Sequence, residues 1–297
     1  MALAGQAILA SGLMFMTPAM GLWLVLRLSR SVSMTLGEAR LRAVATLVMA
    51  APPLFTLVGV ECWLAGEPQL EVAVWLAIWL PLVVAAWCAV GQRSLLVFRQ
   101  LPPPSWRVAH GIMALLLLVG FIGFHISNHV VGLVSAEMHL RVMHALRRWY
   151  RADYVEPELI LLIVLQIATG AMLARRWLAR AVDAARALQA ATGAYLGLYL
   201  VCHINSVFVY ARANGIDTDF WFASGGRAGL MADAWNTRLV PHYALAVLFL
   251  FVHLAAGLRV VLRKHGRGSS WLMPTAWCAG VLVACGAVLP LLRVQLV

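Results

Sequence analysis

Charge is what this sequence has least of. Only 12% of its 297 residues are Asp, Glu, Lys or Arg, about half the share of an ordinary soluble domain. That scarcity excludes a disordered chain, a nucleic-acid-binding arm and a standard cytosolic enzyme. The net charge of +11 does not point to nucleic acid, because the basic residues stand between long apolar runs. Cysteine is sparse and follows no motif. Cys62, Cys88, Cys202, Cys278 and Cys285 form no CxxC or CxxCH, so no zinc site, c-type haem or disulfide framework is expected. No Walker motif, GxSxG, HExxH or dinucleotide fingerprint is present. Strand-like alternation of polar and apolar residues is missing as well. The opening MALAGQAILASGLMFM lacks a basic n-region and reads as a retained first span, not a cleaved signal peptide.

What is present is hydrophobicity, at 63% of the chain. A helix crosses a bilayer in about 20 apolar residues. Eight such runs occur, at about 4–26, 43–64, 70–91, 108–134, 157–177, 187–211, 240–262 and 270–292. The expected fold class is therefore all-α: a polytopic membrane protein of eight transmembrane helices. The connections after the first, third, fifth and seventh runs hold 15 of the 23 basic residues and only Glu38 and Asp183 as acids. The positive-inside rule then puts both termini outside, in a bacterial-type inner membrane. Of the two long outer loops, 135–156 and 212–239, the first carries Met138, Leu140, Val142, Met143, Leu146 and Trp149 at near-helical spacing. It is expected as a short interfacial helix.

Three regions are expected: a three-helix extension over 1–100, a helical bundle over 101–265 and a final helix over 266–297. The extension holds no histidine, and no buried charge pair is expected in it. Pro18, Pro52, Pro53 and Pro81 suggest kinks, and QLPPPSW (100–106) reads as a stiff linker. All nine histidines fall at or after residue 110. Ionisable groups inside a bilayer are costly and mark function by default; the plainer account is that each imidazole bonds a neighbouring helix. At about 1.5 Å per residue, His125 and His203 lie some 12–13 Å from the outer ends of their spans, at one level. Two imidazoles on facing helices can hold a haem iron from both sides. His253 lies deeper, with Gln166 at its level. LQIATGAML (165–173) aligns with VHLAAGLRV (252–260), placing Gly170 on Gly257 and Gln166 on His253. FHISNH (124–129) aligns with CHINSV (202–207). The glycines either admit a neighbouring helix or flat macrocycle, or serve ordinary small-residue packing.

LQAATGAYLGLYLVCH (188–203), HLAAGLR (253–259) and AHGIMALLLLVGFIGFHISNH (109–129) resemble segments of the cytochrome b membrane-anchor subunits of succinate dehydrogenase and fumarate reductase. The single-chain, five-helix, two-haem type is the most similar. The resemblance covers about residues 108–265. It implies a membrane cytochrome b that passes electrons between quinone and a partner protein. It places His125, His203 and His253 at haem-ligand positions and brings Gly193 and Gly257 to the cofactor, with His110 fifteen residues before His125 as in the family. One departure matters: the inner pair becomes Gln166 and His253, and neutral glutamine is a poor haem ligand. The expectation is one bis-histidine b haem, its iron on His125 and His203, with the inner haem lost or altered.

His129, one turn from His125, is a further cofactor-binding candidate, as a contact to a propionate or a quinone carbonyl, as the ligand in place of His125, or as half of a metal bridge with it. Arg259 and Arg263 either pair with inner propionates or act as topology charges. GIDTDFWFASGGRAG (215–229) is either a docking surface or quinone-site lid, or a solvated loop anchored by Trp221 and Phe222. The expected partners are lipid, quinone and a redox protein. The alternative function is a haem-free membrane scaffold or transporter derived from the same bundle.

Overall fold

A computed structural model describes residues 2–29, 34–94, 103–180 and 182–292, with side chains from residue 12 onward. Arg30, Arg99 and the first residues of the expected Pro-rich linker lie outside the described residues. Every helix or strand element among the described residues is a helix. In chain order these are α1 (Ala2–Leu28), α2 (Leu36–Met49), α3 (Ala51–Leu64), α4 (Glu71–Ala89), α5 (Pro104–Val131), α6 (Ala136–Tyr150), α7 (Val155–Leu178), α8 (Ala184–Ala211), α9 (Leu239–Lys264) and α10 (Leu272–Val288), plus single turns between α8 and α9. With the turns that flank α4, α9 and α10 counted in, α4, α5, α7, α8, α9 and α10 are each long and apolar enough to cross a membrane. The pair α2–α3, bent by 64°, makes a seventh. Backbone donors and acceptors cannot be left open in hydrocarbon, so continuous helices are the form such segments take.

Contacts at the two ends fix how the helices stand. At one end, the buried guanidinium of Arg42 on α2 donates to Leu28 O at 2.8 Å, Leu178 O at 3.4 Å and Arg180 O at 2.6 Å. Carbonyls in the last turn of a helix lack intrahelical partners, so one arginine joins the ends of α1 and α7 to α2. The start of α2 also meets the end of α4, through Leu36 N to Ser94 O at 2.9 Å. This is the arginine-rich end. At the opposite end Trp63 of α3 packs edge-on against Tyr210 of α8 at 4.8 Å. There Arg238, at the start of α9, pairs with Glu71 of α4 at 3.0 Å. The α2–α3 pair thus runs from end to end, with Pro52 and Pro53 opening its second half after the bend.

These contacts correct one expectation about residues 1–100, that no charge is buried in a pair there. Arg42 is fully buried there, and Glu71 forms a largely buried pair, both drawn in by partners far away in sequence. The extension also shares its core with the bundle: Val25, Ala45 and Met49 pack with Ala191, Tyr195 and Phe249. A short helix forms within 135–156, as α6, with Ser135 capping its start by accepting from Met138 N at 3.0 Å.

Among the described residues two helices depart from regular winding, and both do so beside a histidine. α5 widens into a π-helical turn over Leu118–Ile122, just before His125. α8 does the same over Asn205–Ala211, just after His203. Such turns insert a residue and rotate the face that follows, and they concentrate at functional sites.

Candidate functional site

The histidines of the described chain fall into two main groups. The first lies toward the end away from Arg42. His125 of α5 and His203 of α8 have ring centres 6.0 Å apart, with planes at 66°. Phe121 stacks on His125 at 5.2 Å, and Tyr199 stacks on His203 at 5.5 Å. Stacking covers ring faces and leaves the nitrogen-bearing edges unclaimed. Both residues are half-buried. His129 sits edge-on to His125 at 4.8 Å and turns toward His139 of α6 at 5.2 Å. On the other side, Tyr199 meets His242 of α9 at 4.6 Å. A file of rings therefore runs His139, His129, His125, His203, Tyr199, His242.

Polar atoms in this group are left without protein partners. They include Nδ1 of His129, His139 and His242, Oδ1 of Asn128 and Nδ2 of Asn205, all buried. Native interiors rarely leave buried polar groups open, and each such atom asks for an explanation. His139 has one bond, Nε2 to Asn128 Nδ2 at 3.1 Å. Since the amide donates, the ring proton of neutral His139 stands on the unpartnered Nδ1. The loop from 215 closes over this end. Arg147 reaches Asp217 at 2.5 Å and Thr218 O at 2.6 Å, and Phe220 is buried against His139 at 5.1 Å. Phe220 is the buried aromatic residue of this loop, with Trp221 packed beside it and Phe222 against Tyr210 at 6.4 Å.

The second group lies nearer the arginine-rich end. His253 of α9 donates Nδ1–H to Gln189 O at 2.9 Å, which leaves Nε2 as its unprotonated nitrogen. Its ring rests on Gly193 of α8, where an added Cβ would stand 2.7 Å from Cε1. His110 of α5 bonds Thr169 Oγ1 through Nδ1 at 2.9 Å and Gln166 Nε2 through Nε2 at 3.2 Å. It rests on Gly170 in the same way. His110 and His253 thus rest on glycines of the adjacent α7 and α8.

No family model, curated protein or solved structure matches the chain. The site is therefore read from its own residues.

That reading revises the expected repeat. Gly170 corresponds to Gly193, not to Gly257, and Gln166 serves His110, not His253. The matching segments are LQIATGAML (165–173) and LQAATGAYL (188–196), which put Gln, Thr and Gly in one order on adjacent antiparallel helices. Gly257 instead lies under the Gln189 side chain, 3.1 Å from an added Cβ. His110, His139, His242 and Tyr199 were not singled out as site residues from sequence. For the first of them, the sequence carries two signals: its fifteen-residue spacing from His125 and the duplicated LQxATGAxL segment.

Two imidazoles bound on opposite sides of one metal, each nitrogen about 2 Å from it, hold their ring centres about 6 Å apart. His125 and His203 meet that separation. Among the described residues no group of three or more His, Cys, Asp or Glu is arranged to hold a bare metal ion. A macrocycle that brings four nitrogens of its own needs only two protein ligands, so the donor set fits haem iron better than a naked ion. The metal bridge between His125 and His129 gains no third ligand.

Proposed function

We propose that this chain is a multi-pass membrane cytochrome b, transferring electrons between quinone and a partner redox protein. His125 and His203 would hold one b-type haem in the half of the bundle away from the arginine-rich end. The observation that carries the reading is the 6.0 Å approach of these two rings, in a site whose neighbours include unpartnered imidazole nitrogens. The resemblance of residues 108–265 to succinate dehydrogenase and fumarate reductase anchors supports it. When bound, haem supplies one-electron chemistry. The chain's part is to fix the two imidazoles through the stacked Phe121 and Tyr199, and to cap the site with α6 and Phe220 against water. A second haem at His253 is not part of the reading, because the nearby His110 has both nitrogens engaged.

The topology that goes with this function has eight crossings, α1 included, with both termini outside a bacterial-type inner membrane. In support, Phe15 of α1 packs with Phe220 and Val240 at the far end, while Leu28 O meets Arg42 at the arginine-rich end.

The test is a reduced-minus-oxidised absorption spectrum of the detergent-purified chain, with its haem-to-protein ratio. Low-spin b-type bands at one haem per chain are expected. No haem after expression with ample haem supply would overturn the reading in favour of a haem-free scaffold or transporter. The file of rings from His139 to His242 favours that second reading, since it lays polar groups along one path.

A further inference from the structure

A crevice opens at the arginine-rich end where the start of α8 meets the end of α9. Arg186 and Gln189 line one wall, Arg259 and Arg263 the other, and Arg267 and Ser269 widen its mouth. The one carboxylate in the lining is Asp183. It is 60% exposed, stands 3.8 Å from Arg259, and already accepts from Arg186 N at 2.7 Å as the cap of α8. Four guanidinium groups therefore line a crevice that holds one partly committed acid, and Arg107 adds a further positive charge within range of Arg186. Arg186 is also held in place, bonded to Gln189 Oε1 at 2.5 Å and lying over the Trp177 ring at 4.6 Å.

Topology requires basic residues on a side of the membrane; it does not require them to face one another across a crevice. Like charges at this density are stable together when an anion lies between them. Planar guanidinium forks match phosphate oxygens in particular. The crevice also has an apolar side: Val260 lines it while being 41% exposed, and Val261 beside it is 52% exposed. We propose that this crevice binds the phosphate headgroup of an anionic phospholipid, with the acyl chains running along the exposed apolar face of α9. Basic pockets between transmembrane helices hold such headgroups by the same physics.

The test uses the full, delipidated chain in neutral detergent, read by native mass spectrometry and thermal shift. Vesicle lipids phosphatidylglycerol and phosphatidylcholine are added at equal amounts, with inorganic phosphate as a third arm. Phosphatidylglycerol should bind at least about tenfold better than phosphatidylcholine, and less so as salt rises. The double variant Arg259→Gln/Arg263→Gln should lose that preference, while Arg93→Gln/Arg175→Gln keeps it. Should the double variant not fold, Arg259→Lys/Arg263→Lys retains the charge and should bind weakly, having lost the forked geometry. Equal binding of the two lipids, or an unchanged preference in the double Gln variant, would overturn the proposal. Inorganic phosphate protecting as well as the lipid would also overturn it, since the ligand would then be a free anion.

Discussion

Near the arginine-rich end, His110 and His253 are held by protein: Thr169 and Gln166 bond the one, the Gln189 carbonyl bonds the other, and a glycine lies beneath each ring. At the far end, His125 and His203 are held by stacked aromatics, and Nδ1 of His129, His139 and His242 meets nothing. The residue type is the same in both places, but the surroundings are opposite. Histidine in a membrane core is therefore informative only together with what its nitrogens touch. A bonded imidazole accounts for its own cost through helix packing; a buried open one stores a cost that a ligand would relieve.

The largest expected effect is a pH response, read here at the far end. His139 is 2% exposed. Burial pushes its pKa down to about 4; Asp219 pulls the other way and Arg147 adds to the lowering. The folded value lies below the unfolded one, so the unfolded chain takes up the proton first. The stabilisation is complete above about pH 6.5 and is lost as pH falls toward 4, by at most about 3 kcal/mol. Thermal unfolding of the purified protein across that window should show the slope, and His139→Gln should make it shallower. An unchanged slope in the variant would place the titration elsewhere.

The glycine cradles offer a smaller effect. Gly193→Ala forces a methyl group to 2.7 Å from His253 Cε1, against 3.1 Å from His110 Cε1 for Gly170→Ala. Overpacking of this kind costs about 1–3 kcal/mol, so Gly193→Ala should lower the melting temperature more than Gly170→Ala. Gly197→Ala, with open space around it, should be nearly neutral. Equal effects at all three would show that the rings do not rest on these glycines.

The smallest effect sharpens the comparison most. Gln166→Leu strips His110 Nε2 of its donor and should cost about 1–2 kcal/mol. His129→Leu removes a buried nitrogen that has no partner, so the haem-free protein should be unchanged or slightly more stable. Differential scanning of the two variants side by side reads the difference. Comparable destabilisation by both would mean that the far end is satisfied by groups within the chain.

Much of this arrangement was legible in the sequence, and the parts that were not share a cause. Apolar runs located the long helices, and the spread of Met138 to Trp149 located α6. Rise per residue placed His125 and His203 at one depth. Depth says nothing of direction around a helix axis, however. Gln166 and His253 share a level by rise per residue, yet Gln166 faces α5. The π-helical turns beside His125 and His203 compound this, because each rotates the following face and no residue pattern announced them. Arg42 read as a topology charge because its partners, carbonyls at 28, 178 and 180, become neighbours only in the fold. The alignment of Gly170 with Gly257 failed for a simpler reason. LQAATGAYL was the better match, and it runs in the opposite direction across the membrane. Gly170 and Gly193 lie eight and nine residues from the arginine-rich ends of α7 and α8, so the two segments reach one level from opposite approaches.

The most direct measurement is the haem-to-chain ratio of purified His125→Ala, His203→Ala, His110→Ala and His253→Ala, each read from the reduced-minus-oxidised spectrum beside the unmodified protein. Loss of the b-type bands in the first two, with the ratio kept near one in the last two, is the predicted result. Retention of haem in His125→Ala and His203→Ala, with loss in His110→Ala or His253→Ala, would contradict it and move the haem to the arginine-rich end.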